Sequence, residues 1–176
     1  YWGEDTGRDP EHAVEAEDRR MNIFEILGPV MIGPSSSHTA GAVRIGLMTR
    51  RLLGQKPVKA RIGMYGSFLA TGRGHGTDRA VVAGLLGMKP DDIRIPESFE
   101  LAAADGLSFS FEEANLSGAH PNTVLLEVEG DGGRELSVQA SSLGGGRIMV
   151  NRLDGIDVNC TCEMPTLIVH NMDQPG

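Results

Sequence analysis

Apolar positions follow two different spacings along the chain. In the first half they recur every three or four residues, as on the buried face of a helix, and in the second half they alternate, as in a half-exposed strand. Helical spacing and capping residues predict three helices, at residues 39–53, 77–86 and 98–105. Strand patterns lie at residues 58–64, 107–111, 123–129, 134–140 and 147–153, with a hairpin turn over 130–133. Helices segregated from a largely antiparallel sheet predict an α+β domain in which the helices pack on the sheet.

The two ends of the chain differ from this central pattern. Residues 1–20 are rich in charge and poor in apolar positions, which predicts a disordered extension. Asn22 opens a short apolar helix that ends at Gly28-Pro29, and a loop follows over residues 30–37. Near the other end, the apolar residues 166–169 lead directly into a turn, as if a new strand were beginning. We therefore expect three parts, over residues 1–20, 21–163 and 164–176.

Composition excludes several functional classes. A net charge of −8 and a pI of about 5.1 argue against a nucleic-acid partner. No apolar run approaches the roughly 18 residues of a membrane span, and no signal peptide is visible, so we expect a cytoplasmic protein without membrane contact. The two cysteines, Cys160 and Cys162, are too few for a closed metal site. We interpret them as reduced thiols near a strand end and expect no metal on this chain.

Glycine is the compositional outlier, at 24 of 176 residues, about twice its usual share of roughly 7 %. One glycine-bounded loop, Gly33-Pro34-Ser35-Ser36-Ser37-His38-Thr39, precedes the first long predicted helix. Its hydroxyls and N–H groups converge at a positive helix end, which suits a carboxylate or phosphate, although a helix cap explains the loop equally well. His38 is interpreted either as a general acid or base beside that anion or as a histidine satisfied by neighbouring backbone.

Three further motifs combine polar residues with glycine or proline. The stretch Gly72-Arg73-Gly74-His75-Gly76-Thr77-Asp78 predicts a second glycine-rich loop that opens a helix capped by Thr77, with a tight turn as the alternative. The stretch His120-Pro121-Asn122-Thr123 is typical of a turn at the entrance to a strand. Between two strands, Gly144-Gly145-Gly146 indicates either a bulge or the close approach of a ligand.

Taken in this order, the motifs resemble those of the β chain of the iron–sulfur-dependent L-serine dehydratases. The resemblance runs from about residue 22 to residue 176. It is carried by ILGPVMIGPSSSHTAG at residues 26–41, Tyr65-Gly66-Ser67-Phe68, Gly74-His75-Gly76-Thr77-Asp78, His120-Pro121-Asn122-Thr123 and Gly144-Gly145-Gly146. The first of these stretches is long and highly specific.

The resemblance implies an enzyme that converts L-serine to pyruvate and ammonia in a site shared with an α chain. A 4Fe-4S cluster on that α chain would act on the serine hydroxyl as a Lewis acid while a protein base removes the α-proton. The implied catalytic residues are His38, the leading acid or base, and His75. The implied substrate-binding residues are Ser35, Ser36, Ser37, Thr39, Asp78 and His120. A cluster takes three or more cysteine thiolates, so we expect it on the α chain and not here.

The resemblance also implies a fold and an assembly. The fold should be similar to the allosteric substrate-binding domain of phosphoglycerate dehydrogenases, with the first strand of a truncated ACT-like domain over residues 164–176. A homodimer through the main domain is one expected assembly, beside the contact with the α chain.

Two other functional classes stay open. A non-catalytic sensor would bind an amino acid or another anion in the same pocket and regulate a partner. A generic phosphate-binding module rests only on the helix-terminus argument. Tight binding of L-serine by this chain alone would favour the sensor, because half of a shared site should bind weakly.

Overall fold

The computed structural model describes residues 35–168. A π-helical turn, Ser36–Gly41, leads into the first helix, and a 3₁₀ turn, Ile95–Glu97, precedes the last. The helices are α1 (Ala42–Leu53), α2 (Ser67–His75), α3 (Thr77–Leu85) and α4 (Ser98–Asp105). The strands are β1 (Pro57–Met64), β2 (Ser108–Glu113), β3 (Thr123–Gly130), β4 (Glu135–Gly144), β5 (Arg147–Leu153) and β6 (Ile156–Cys160).

The six strands form one sheet in the order β2-β1-β3-β4-β5-β6. Only β1 and β2 pair in parallel, and the helices α2 to α4 lie in the crossover between them. All other neighbours are antiparallel. The α+β class and the largely antiparallel sheet are therefore confirmed, as is the hairpin of β3 and β4, whose turn is closed by the N–H of Gly130 donating to the carbonyl of Arg134 at 2.8 Å.

One hydrophobic core joins the inward-facing strand residues to the helices. Strand β3 alternates as expected, with Val124, Leu126 and Val128 buried. The spacing of Val43, Leu47, Met48 and Leu52 predicts that these residues form the buried face of α1, but the face that α1 buries is a different one. Its buried residues are Ala42, Val43, Ile45, Gly46, Thr49 and Leu53, whereas Leu47, Met48 and Leu52 are only partly covered. Small residues and a threonine, which hydropathy undervalues, occupy the tightest part of the helix contact.

Helices α1 and α3 cross with their backbones in contact at two glycines. A Cβ atom on Gly46 would overlap the carbonyl oxygen of Val81, and one on Gly84 would overlap the carbonyl oxygen of Val43. Only glycine permits this approach, because any side chain at either position would have to displace main chain of the opposite helix. The crossing fixes α1, and with it the π-helical turn that precedes α1.

Three predictions about local structure were wrong or incomplete. Residues 72–75, expected in the glycine-rich loop over residues 72–78, are the last four residues of helix α2, although Gly76 does form the break before α3 with φ of +67°. Thr77 does not cap α3, since Gly76 occupies the cap position and the Thr77 hydroxyl has no partner among the described residues. Strand β6 was not predicted, although its residues Ile156-Asp157-Val158-Asn159-Cys160 alternate between apolar and polar; it is short and mostly exposed.

The remaining predictions concern the chain ends. Residues 166–168 do not form a strand, so the described part of the predicted strand 166–169 is wrong. The extension over residues 1–20, the helix after Asn22 and the residues after 168 lie outside the described residues. Ser36 and Ser37, expected in a loop, belong to the π-helical turn. Within residues 35–168, no helix has the length and apolarity needed to cross a membrane.

The helix crossing predicts that Gly46→Ala and Gly84→Ala each lower the free energy of unfolding by roughly 1–3 kcal/mol, since the added methyl group meets backbone. Gly72→Ala is the matched control, because its Cβ would lie 3.5 Å from the flexible end of Met64. That control should be neutral or stabilising by up to about 1 kcal/mol. Urea denaturation followed by circular dichroism measures all three, and equal effects would contradict the packing described.

Candidate functional site

We call residues 33–39 the serine loop. Its described part begins with a helix cap formed by Ser35. Its Oγ accepts the N–H of His38 at 3.2 Å, and its carbonyl oxygen accepts the N–H of Thr39 at 2.9 Å. Ser35 has extended backbone angles, as an N-cap residue should. The capping explanation is thus correct for Ser35, and it leaves Ser36 and Ser37 without a role in capping.

The His38 ring is held by hydroxyl groups at both nitrogens. Its Nδ1 lies 3.2 Å from the Oγ of Ser35 and 3.1 Å from the Oγ of Ser37, and its Nε2 lies 3.0 Å from the Oγ of Ser67. The ring also meets Phe68 edge-on, with 5.5 Å between centroids. Because a hydroxyl can donate or accept, this set of neighbours suits either neutral tautomer of the ring. The ring therefore has a fixed orientation that does not depend on which nitrogen carries the proton.

Ser67 is placed by a close approach of two backbone segments. The carbonyl oxygen of Pro121 accepts the N–H of Ser67 at 2.8 Å and that of Phe68 at 3.4 Å. Gly66 before them has φ of +57°, and a Cβ atom there would lie 2.6 Å from the same carbonyl oxygen. Only glycine allows this contact. Helix α2 thus starts at the point that presents the Ser67 hydroxyl to His38.

The motif at residues 120–123 supports this arrangement as a turn. The Thr123 hydroxyl donates to the carbonyl of His120 at 2.6 Å, and the Nδ1 of His120 accepts the N–H of Asn122 at 3.1 Å. Next to them, the carbonyl of Asn122 accepts the N–H of Ser142 at 2.9 Å. The exposed His120 ring lines a polar cavity of about 450 Å³ together with Ser141. The structure therefore gives His120 a turn-forming contact at the segment that positions Ser67.

His75 and Asp78 lie at the far end of α2 from Ser67. His75 is the last residue of that helix, so its Cα is roughly 12 Å from that of Ser67 along the helix axis. Asp78 is in the first turn of α3, where its Oδ1 accepts the N–H of Arg79 at 2.8 Å. A carboxylate at this position is favourable to the helix dipole. The described contacts of Asp78 do not include the hydroxyls around His38.

Three buried hydroxyls close to this region have no hydrogen-bond partner among the described residues. They belong to Thr39, Thr77 and Ser142, whose residues are at most 3 % exposed. Ser142 packs so closely on Gly41 that no side chain fits at that position. An unpaired buried hydroxyl costs about 1–3 kcal/mol, so each calls for a small polar partner such as water. Thr39, expected to bind substrate, turns its hydroxyl into the protein and not towards the surface.

Two neighbours of His38 were not among the predicted site residues. Ser67 and Phe68 belong to the motif Tyr65-Gly66-Ser67-Phe68, in which a glycine follows a strand and a hydroxyl residue starts a helix. That order of residues was the available signal. Ser36 was predicted, but within the described part of the chain its side chain has no hydrogen-bond partner.

The two cysteines do not match the cluster that the resemblance implies. Cys160 and Cys162 have free thiols, with their Sγ atoms 3.6 Å apart at the end of β6. An iron–sulfur cluster takes three or more thiolates, and these are the two that the chain has. Among residues 35–168, no three His, Cys, Asp or Glu side chains form a group that could hold a metal ion. This chain alone therefore does not fit the cluster.

An imidazole held among serine hydroxyls in an α+β domain is an arrangement that can carry acid–base chemistry on a small molecule. Comparison with known proteins names the family. The sequence model of the family named serine dehydratase beta chain matches residues 22–104, which include His38 and Ser67 but not His120. Together with the two relatives described next, this match shows that the chain belongs to this family.

Two relatives cover most of the chain. It is 42 % identical over 155 residues to the probable L-serine dehydratase, beta chain, of Bacillus subtilis and 42 % identical over 156 residues to the L-serine dehydratase, beta chain, of Peptoniphilus asaccharolyticus. Each alignment covers 88 % of this chain and 70 % of the relative. L-serine dehydratase 2 of Escherichia coli is 40 % identical over 81 residues, which are 43 % of this chain and 17 % of that protein.

The contact of Ser67 with His38 predicts a specific effect of Ser67→Ala. We expect the free energy of unfolding to fall by roughly 1 kcal/mol and the ring ¹⁵N shifts of His38 to change, because Nε2 loses a hydrogen-bond partner. Ser110→Ala, at an exposed position of β2, is the control and should stay within about 0.5 kcal/mol. Unchanged His38 shifts in Ser67→Ala would show that the contact does not form in solution.

Proposed function

We propose that this chain is the β subunit of an L-serine ammonia-lyase, which converts L-serine to pyruvate and ammonia in a site shared with an α chain. The names of the two relatives, both beta chains of L-serine dehydratase, support activity on L-serine and imply an α chain. The observation that carries the proposal is the His38 ring, fixed between Ser37 and Ser67 by hydrogen bonds at both nitrogens.

The reaction needs a group that takes the α-proton of serine and groups that hold its carboxylate. Imidazole exchanges protons near neutral pH, and the hydroxyls on both sides of His38 keep its ring in place through such an exchange. Ser35, Ser36 and Ser37 offer rotatable hydroxyls next to that ring, and hydroxyls can turn to donate to a carboxylate. We assign acid–base chemistry to His38 and carboxylate binding to the three serines.

The other predicted residues have secondary places in this proposal. His75 is the second catalytic candidate, carried by the same helix as Ser67. Asp78 and Thr39 border the region, and their contribution would be to shape it. His120 is the weakest candidate, because its described ring contact is with the N–H of Asn122 in a turn.

The α chain is needed because this chain supplies only part of the chemistry. The 4Fe-4S cluster implied by the resemblance would have to be held by the α chain, since two cysteines are too few for it. We call the contribution of this chain a half-site, meaning the serine loop, His38 and Ser67.

Reconstitution tests the shared site. Pyruvate formation from L-serine is measured under anaerobic conditions with this chain, with an iron-loaded α chain, and with both. We expect turnover only with both chains. Full activity of the α chain alone would overturn the proposal, and tight stereoselective binding of L-serine by this chain alone in calorimetry would favour a sensor instead.

Substitutions in the reconstituted enzyme test the residue roles. His38→Ala should lower kcat by about 10²–10⁴-fold, and His38→Asn should not restore it, because an amide keeps a hydrogen bond but does not exchange protons. Ser37→Ala should mainly raise KM, whereas Ser110→Ala should change neither constant. Sedimentation velocity confirms that each variant still binds the α chain. Activity of His38→Asn close to the wild-type value would reduce His38 to a positioning role.

A further inference from the structure

Cys160 and Cys162 form a pair of thiols outside the half-site. Cys160 is the last residue of the edge strand β6, and Cys162 follows after one residue. Their Sγ atoms are 3.6 Å apart, and both side chains are partly exposed. A disulfide bond requires roughly 2.05 Å between the sulfur atoms, so the two must approach each other by about 1.5 Å to bond.

The backbone at the end of β6 turns in a way that favours this pairing. Asn159 and Cys162 have φ of +46° and +58°, in the left-handed region that residues other than glycine rarely adopt. Cys162 thus leaves the strand direction directly after Cys160. As a result its Sγ lies near Cys160 and 3.7 Å from the carbonyl oxygen of that residue.

The two thiols have different surroundings. The Sγ of Cys160 accepts the N–H of Cys162 at 3.3 Å and lies 3.4 Å from the Oγ1 of Thr166. The Thr166 hydroxyl is also 3.0 Å from the carbonyl of Met164, and it can turn towards the sulfur when Cys160 loses its proton. These contacts, that with Thr166 first, hold the pKa of Cys160 below its ordinary value.

Cys162, by contrast, packs against the hydrophobic core. Burial, with the neighbouring sulfur of Cys160 as a smaller cause, raises the pKa of Cys162 to about 12. One thiol is therefore the better nucleophile and the other is kept protonated beside it. Dithiols that react by exchange combine an accessible attacking sulfur with a second, resolving sulfur within reach.

We propose that Cys160 and Cys162 are a thiol–disulfide exchange site for low-molecular-weight disulfides. The Cys160 thiolate attacks one sulfur of the small disulfide, whose S–S bond breaks, and one small thiolate leaves and is protonated. The Cys162 thiol then gives its proton to solvent, and its sulfur attacks the Cys160 sulfur of the mixed disulfide. The S–S bond of the mixed disulfide breaks, and a second small thiolate leaves and is protonated. In total, the two thiols of the chain are oxidised to one internal disulfide, and the small disulfide is reduced to two thiols.

Closing this bond would change how the chain leaves β6. Cys160 would give up its thiolate contacts with the N–H of Cys162 and with Thr166. These contacts tie the strand end to the segment that follows it.

The test uses the full chain with oxidised glutathione, followed by thiol titration and intact-mass measurement. We expect loss of both thiols without an adduct, and a mass lower by two hydrogen atoms. Cys162→Ser should stop at one stable glutathione adduct on Cys160, because the resolving sulfur is absent. Cys160→Ser should form its adduct on Cys162 at least about tenfold more slowly, because Cys162 remains protonated.

Alkylation of the wild-type chain gives a second measurement that does not rely on variants. Iodoacetamide near neutral pH should label Cys160 before Cys162, as read by peptide mapping. Two glutathione adducts on the wild-type chain, disulfide-linked dimers, or equal reaction rates of the two single variants would overturn the proposal.

Discussion

The carbonyl oxygen of Pro121 fixes the first turn of α2, and the orientation of His38 depends on that turn. It accepts N–H groups from Ser67 and Phe68, and Gly66 makes the approach sterically allowed. Ser67 then reaches the Nε2 of His38, while Phe68 supports the ring from its edge. The serine loop, which contains His38, leads directly into α1. Since α1 is fixed by its crossing with α3, two rigid anchors set the position of one imidazole.

In the proposed shared site, this construction would hold the groups of this chain in place before an α chain binds. Catalytic groups must be held within fractions of an ångström, and hydrogen bonds at both ring nitrogens serve that purpose better than a loop alone. The hydroxyls of Thr39, Thr77 and Ser142, buried without described partners, show that the surrounding layer is polar as well as tightly packed. A polar layer next to the site carries a cost in stability, which proteins accept where chemistry requires it.

Much of the fold could be predicted from sequence, because long periodic segments carry a strong signal. Helix α4 over Ser98–Asp105 and strand β5 over Arg147–Leu153 have the predicted bounds. Helix α2 was missed, since its glycines suggested a loop and its helical state depends on tertiary contacts such as that with Pro121. The buried face of α1 was misjudged for a similar reason: Gly46 is buried by the close approach of α3, which no hydropathy pattern reveals.

The candidate site was also only partly predictable from the sequence. Local sequence indicated Ser35 and His38, because a cluster of hydroxyls at a helix start is a visible pattern. Ser67 lies 29 residues from His38 along the chain, and only the fold brings them together.

The most direct test of the central claim is a structure of this chain with its α chain and bound L-alanine, which lacks the leaving hydroxyl. We predict the ligand carboxylate within about 3 Å of serine-loop hydroxyls and its α-carbon facing His38. A ligand bound wholly by the α chain, away from His38, would contradict the account.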